Sequence, residues 1–436
     1  MMDKTIKSSI QTVSSYTSTK ASFQFLYFGL LCAFVFSIPL ESLFLNIGFR
    51  SPPYYLGLAC TVLSLFVIDR VIYYSARAPF IWLMLCSLLM GELLNVINNS
   101  FTVEDSSLRF KLLLMCVILL PAVTNISWRK RLLVAYSAGC VVLCVIIIRS
   151  FISGTLDMYT VGRAGEEMVR AIGMLSLDPN EFAMIILPTM IWALYRLLCG
   201  RKILEIAVLT ALNMILLMAF VMAVSRTGTV LYLTGIIMLL FLRRGDSSTG
   251  SKTSKRLKLF ISTVVRLNLL VALVLATDML GAGQFFESLR IRFDSSIYEG
   301  QYGSRDVLSV RTLQLFLEHP MGVGLNNSPD YIDGNDPHND YLRFLAENGI
   351  IGGLFMFFAV ILLLKNIYQY YRKGEETWLV VSVVLMLLAT GVFQGFSKRS
   401  FFFIYSFFIV APSLVYGAKT VTRKAGVKFK RTLNNG

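Results

Sequence analysis

The chain has 436 residues, 56% hydrophobic and 15% charged, with 41 Lys and Arg against 26 Asp and Glu for a formal net charge of +15. A soluble domain averages about 45–50% apolar and about 25% charged residues, so this composition excludes an ordinary soluble enzyme and leaves no room for a large extramembrane domain. The basic residues form short clusters between apolar runs and no single stripe, so the charge points to membrane topology and not to nucleic acid.

Residues 1–21 are polar and Ser/Thr-rich, and no small-residue cleavage site follows the first apolar run, which predicts an uncleaved first helix. Apolar runs bounded by charges or breakers then predict about twelve spans. They fall near 22–40, 54–69, 78–97, 108–126, 132–152, 179–199, 203–224, 227–242, 259–280, 349–367, 377–396 and 400–418. Residues 203–242 as one helix would be about 60 Å long, twice the hydrocarbon thickness. The chain is therefore predicted to turn at Ser225-Arg226-Thr227-Gly228.

With the N-terminus inside, every even-numbered connection is basic: Arg70 and Arg77, Arg129 to Arg131, Arg196 to Lys202, Arg243 to Lys258, Arg372 and Lys373, and the tail from Arg423 to Arg431. The positive-inside rule asks this of twelve helices with both termini cytoplasmic. The resulting organisation is a cytoplasmic tail at 1–21, spans one to nine over 22–280, a long outer loop at 281–348, spans ten to twelve over 349–418, and a basic cytoplasmic tail at 419–436. A second, smaller outer connection covers 153–178. The seven cysteines all fall in apolar runs, which argues against a disulfide framework and a zinc site.

The two outer connections hold the candidate chemistry. Of two histidines in the chain, His338 stands in Asp336-Pro337-His338-Asn339-Asp340-Tyr341-Leu342, just before the Gly-punctuated start Glu347-Asn348-Gly349-Ile350-Ile351-Gly352-Gly353. Neutral imidazole is the side chain best suited to accept a proton near neutrality; a loop histidine without a role is the plain alternative. Asp330, Asp333, Asp336 and Asp340 permit a cation site, though their spacing matches no standard calcium loop. His319, before Pro320, is expected to end a short helix.

Arginines on the outer side run against the topological bias, so each calls for a reason. Arg226, between two apolar helices, is either a functional charge or a snorkelling anchor. The long loop adds Arg290, Arg292, Arg305 and Arg311, and the smaller one Arg163 and Arg170. Guanidinium groups beside a membrane suit phosphate or carboxylate. A lipid carrying a diphosphate would present its leaving group at headgroup level, where arginines could stabilise it while His338 deprotonates an acceptor hydroxyl. The sequence has no Walker loop or dinucleotide fingerprint, so no nucleotide and no other cofactor is expected.

Ser225-Arg226-Thr227-Gly228, Gly303-Ser304-Arg305, Pro320-Met321-Gly322-Val323-Gly324, His338-Asn339-Asp340-Tyr341-Leu342 and Glu347-Asn348-Gly349, taken in order, resemble the O-antigen ligase and polymerase superfamily of bacterial envelope glycan assembly. Arg170-Ala171-Ile172-Gly173 with Asp178-Pro179-Asn180-Glu181-Phe182-Ala183 is similar to the segment that family carries before its sixth helix. The resemblance covers roughly residues 165–360.

It implies an all-α polytopic membrane protein, GT-C-like, with about twelve helices and a catalytic periplasmic loop between helices nine and ten. The implied activity is a metal-independent glycosyltransferase of the bacterial inner membrane. Its donor would be an undecaprenyl diphosphate-linked glycan, and its acceptor the lipid A-core in a ligase or another lipid-linked glycan in a polymerase. The family's key residues fall on Arg226, Arg305 and His338. Arg170, Arg290, Arg292, Arg311, Asn339, Tyr341 and Glu347 are further candidates for contact with the diphosphate or glycan. One dominant outer loop favours the ligase, while the Arg311 to Gly322 spacing and the near match from Arg163 to Gly173 keep the polymerase open. A transporter of the same lipid-linked glycan is a reading from another class; it would place binding groups near the midplane on broken helices. A non-catalytic scaffold in an envelope assembly complex would leave the His/Arg set unexplained.

Overall fold

A computed structural model describes residues 25–41, 43, 52–67, 72, 79–100, 126–153, 159–163, 166–170, 179–199, 203–242, 287–288, 290, 303–332, 334, 337, 339–372 and 377–390. The expected spans near 108–126, 259–280 and 400–418 lie outside the described residues. The other expected spans are helical. In chain order these are α1 (Phe25–Leu40), α2 (Pro52–Ser64), α3 (Pro79–Ile97) and α4 (Ile126–Ile152). After them come α5 (Pro179–Cys199), α6 (Ile203–Met222), α7 (Arg226–Leu242), then α8 (Gly303–Glu318) and the single turn α9 (Ser328–Tyr331). The last two are α10 (Asp340–Arg372) and α11 (Thr377–Thr390). Several of these are long and apolar enough to cross a bilayer, so this is a helical, membrane-spanning protein.

Within this helical fold the smaller connection, expected as a polar loop, contains an antiparallel hairpin of β1 (Tyr159–Arg163) and β2 (Glu166–Arg170), with Tyr159 paired to Arg170 and Arg163 to Glu166. A two-residue connector containing glycine between β-forming residues favours a tight hairpin.

Helix α5 sits at the centre. It is buried nearly all round, as expected for a helix apolar on every face, and it packs against α6, α7 and α11. Pro188 lies inside it and cannot donate to the preceding turn. Near the proline, Tyr136 on α4 donates its hydroxyl to the Ile185 carbonyl at 2.6 Å, tying α4 to α5.

The α6–α7 turn falls where predicted, and it is built from its own four residues. Val224 takes a left-handed φ of 49°, and the Ser225 hydroxyl then accepts the Gly228 N–H at 3.1 Å as an N-cap. A side chain at Gly228 would collide with Ala183 of α5, so glycine there allows the two helices to touch.

The most extensive helix contact joins α3 to α10. As one rod α10 would be about 50 Å long, too long for a bilayer, but it breaks at Gly349, where φ is 65° and ψ −172°. The break separates a stretch at 340–348 from a long apolar stretch at 350–372. The break frees backbone groups, and the segment Pro320–Gly324 is threaded into it. Val323 N–H donates to Ala346 at 3.0 Å, Gly324 N–H to Glu347 at 2.9 Å, and Ile350 N–H to Pro320 at 2.9 Å. Two distant sequence motifs thus form one joint.

At Gly349 an added methyl would overlap the Met321 carbonyl, in a backbone conformation essentially closed to other residues. Gly349→Ala is therefore expected to lower unfolding stability in detergent by roughly 3 kcal/mol or more. Gly29→Ala, at an open helix position, should be neutral or slightly stabilising in the same measurement.

Candidate functional site

The loop-bearing ends of α5, α7 and α10 carry residues or motifs singled out from the sequence, and those of α3 and α11 bond to them or to the adjoining loop. At the α6–α7 turn, Ser225 also donates to Asn180 Oδ1 at 2.8 Å. Asn180 follows Pro179 at the start of α5, where proline is favoured because its missing N–H would be unpaired anyway. The turn motif and the pre-helix motif therefore meet. Within Ser225-Arg226-Thr227-Gly228, the serine caps and the glycine packs, and Arg226 stands half-buried at the first position of α7. A cation at a helix N-terminus opposes the helix dipole, so local helix energetics do not explain an arginine there.

The second half of the site hangs on α3 and α11. Asn95 Nδ2 donates to the Leu325 carbonyl at 3.3 Å and Asn98 Nδ2 to the Val323 carbonyl at 3.0 Å. Asn327 Nδ2 is shared among Ser100 Oγ at 2.7 Å, the Val323 carbonyl at 2.9 Å and Asn95 Oδ1 at 3.1 Å. Deeper along α3, Asn348 Nδ2 donates to Ser87 Oγ at 3.3 Å. The last turns of α3, with Gly91, Glu92, Asn95 and Asn98, thus form a polar dock for the loop inside an otherwise apolar helix.

Arg343 and Glu347, one turn apart on α10, form an ion pair at 2.9 Å with side chains only 8% and 3% exposed. Ser328 Oγ donates to the same Glu347 oxygen at 2.6 Å, and Arg343 Nη2 donates to Asn326 Oδ1 at 3.1 Å. A buried pair needs such additional hydrogen bonds to offset its desolvation. The cluster ties 326–328 to the helix that follows the histidine motif.

His338 itself lies outside the described residues, as do Asp333, Asp336 and Arg292; its neighbours do not. Asn339 Oδ1 accepts the N–H groups of Tyr341 and Leu342 at 3.1 and 3.2 Å, capping α10. The Tyr341 hydroxyl donates to the Leu387 carbonyl of α11 at 2.8 Å. Helix α11 also packs on α7, with Leu385 against Gly235. One helix therefore supports both Arg226's helix and the segment following His338.

The other candidates divide. Arg305 is on α8, the helix that packs on the 340–348 stretch through Leu315 and Ala346; its side chain lies outside the described residues. Arg311 is exposed on the same helix. Arg290 is exposed and pairs with Glu287 at 3.6 Å, a surface contact worth little. Arg163 and Arg170 end the strands of the hairpin, their side chains again outside the described residues. His319 follows the end of α8 as expected and stacks edge-on against Tyr331. Asp330 is exposed and Asp340 buried in the first turn of α10.

Sequence reasoning did not single out Arg343, Ser328 or the polar end of α3. A signal was present for α3: Glu92, Asn95 and Asn98 recur at helical spacing within an apolar run, and polar residues inside a span are functional candidates by default.

A family model described as O-Antigen ligase matches residues 211–357, from within α6 to within α10. The matched stretch contains Arg226, Arg305, the 320–324 joint, His338 and the Arg343–Glu347 pair. Comparison with curated proteins finds no match. Residues 211–357 are therefore similar to the O-antigen ligase family.

Proposed function

We propose that the protein is an O-antigen ligase-type glycosyltransferase, acting at the outer face of the bacterial inner membrane. The observation that carries the reading is the joint architecture. The Arg226 turn is locked to α5, the 323–327 segment is pinned to α3, the turn after His338 is anchored to α11 through Tyr341, and all of it lies on the loop-bearing ends of membrane helices. A transporter would be expected to hold its binding groups near the midplane.

In the proposed reaction His338 takes the proton of an acceptor hydroxyl. The resulting oxygen attacks the anomeric carbon of a glycan carried on undecaprenyl diphosphate. The bond from that carbon to the diphosphate oxygen breaks, with inversion, and the negative charge developing on the departing diphosphate is stabilised by Arg226 and Arg305. The donor supplies the energy of its own diphosphate bond. Arg170, Arg290, Arg292, Arg311 and Tyr341 remain candidates for glycan or diphosphate contact.

Asn339 and Glu347 already serve other side chains and backbone groups, and we assign them to building the site. The acceptor of a ligase is the lipid A-core. Polymerisation, with a second lipid-linked glycan as acceptor, is the second reading, because β1–β2 gives the smaller connection an ordered, arginine-bearing element as well. Product analysis of cells lacking the chain tests both. Core without glycan beside long polymer on the carrier is the expected ligase result. Single capped units would mean a polymerase, and unchanged products with loss of vectorial movement would mean a transporter.

A further inference from the structure

Helix α8 has two apolar faces, and among the described residues only one is buried. Leu308, Leu315 and Phe316 pack with Val323, Ile332 and Ala346. On the other side, Val307, Val310, Leu313 and Leu317, continued by Met321 after the helix ends, stand between 42% and 68% exposed. Their spacing of three and four residues makes one continuous stripe. A contiguous apolar stripe left in water marks an interaction surface.

The stripe does not end in solvent. Its last member, Met321, lies in the 320–324 joint, whose backbone abuts Gly349 and bonds Ile350. At Ile350 begins the exposed apolar row of the membrane helix itself, with Leu354, Phe357 and Ile361 at helical spacing. That row faces acyl chains in a bilayer. The apolar surface of α8 is therefore a continuation of the lipid-facing surface of α10, with Arg311 on its flank.

We propose that α8 rests on the outer-leaflet bilayer surface, its Val307-to-Met321 stripe among the lipids, as interfacial amphipathic helices do. This rests on the glycan-transferase reading only for its consequence. A helix docked at that depth holds Arg305 at headgroup level, where the diphosphate of a lipid-linked donor lies. Its occupant is the phospholipid surface, not the donor.

The test places the photo-cross-linking amino acid p-benzoylphenylalanine at Val307, Val310 or Leu317 of the full chain, in vesicles of phosphatidylethanolamine and phosphatidylglycerol free of donor. Because these side chains are exposed, the replacements leave the core intact. Adducts with the mass of a phospholipid are expected from at least two of the three positions, while the same residue at Leu315, which packs inward, should link within the protein. Linkage from the stripe to another segment of the chain, or no adduct at any of its three positions, would overturn the proposal. The readout needs no activity, so it stands or falls apart from the transferase reading.

A second measurement joins the two. The double variant Val310→Asp and Leu317→Asp is expected to lower transfer from a long-chain lipid donor by about tenfold, while leaving transfer from a short-chain, water-soluble donor within about twofold. Equal losses on both donors would reduce the stripe to a structural feature.

Discussion

Arg226→Ala is expected to lower glycan transfer in a reconstituted assay by about 100- to 1,000-fold, the usual effect of removing one group that stabilises developing negative charge. The helix should survive, since the Ser225 cap, the Asn180 contact and the Gly228 packing do not involve the guanidinium. Removing a cation from a helix N-terminus even relieves a small unfavourable dipole interaction. Arg226→Lys should recover only part of the activity, because an ammonium cannot match a diphosphate bidentately. His338→Ala is expected to lose about 10²- to 10⁴-fold, the range for a general base. Unfolding in detergent separates chemistry from stability: both variants should melt with the parent protein. Full activity of Arg226→Ala would remove the arginine from the mechanism.

Glu347→Ala should act in the opposite way, on stability first. It leaves Arg343 buried without its carboxylate and takes the acceptor from Ser328. Breaking a buried pair from one side costs about 3–5 kcal/mol, so unfolding in detergent should shift strongly, with transfer lost as the loop loosens. The double replacement Arg343→Met with Glu347→Leu is expected to regain much of that stability, since apolar pairs of similar volume replace buried ion pairs well. If Glu347→Ala unfolds like the parent yet loses transfer, the glutamate is a substrate contact after all.

The contrast between these residues shows what the sequence made legible. Arg226 stood out because a charge between two apolar helices violates a simple rule. The Arg343–Glu347 pair is written at the same spacing as any solvent-exposed helix pair, and only tertiary packing reveals it as buried. The α6–α7 turn was readable from length alone, since a continuous helix could not fit the bilayer. The break at Gly349 was foreshadowed by clustered glycines, but its partner, the segment threaded into it, depends on contacts across the fold. Hairpin β1–β2 reads as plain loop in the sequence because its strands are only five residues each and interleave Gly, Arg and Glu with the β-forming residues. His338 stands out from its own motif while Arg305 is ranked only by resemblance, and their neighbours explain how such residues could be held: a cap from Asn339, an anchor from Tyr341, and packing through α8.

The dock on α3 has a consequence for biosynthesis. Asn95 finds its partner at Leu325, 230 residues later in the chain. At ordinary translation rates that interval is about 10–50 s. During it, Glu92, Asn95 and Asn98 sit in the membrane without the loop that later bonds to Asn95 and Asn98. Early spans must therefore insert with a polar face turned to whatever is at hand, whether water at the interface, lipid headgroups or the insertion machinery. Assembly of the loop-bearing end is a late event, completed only when α10 enters and closes the joint at Gly349.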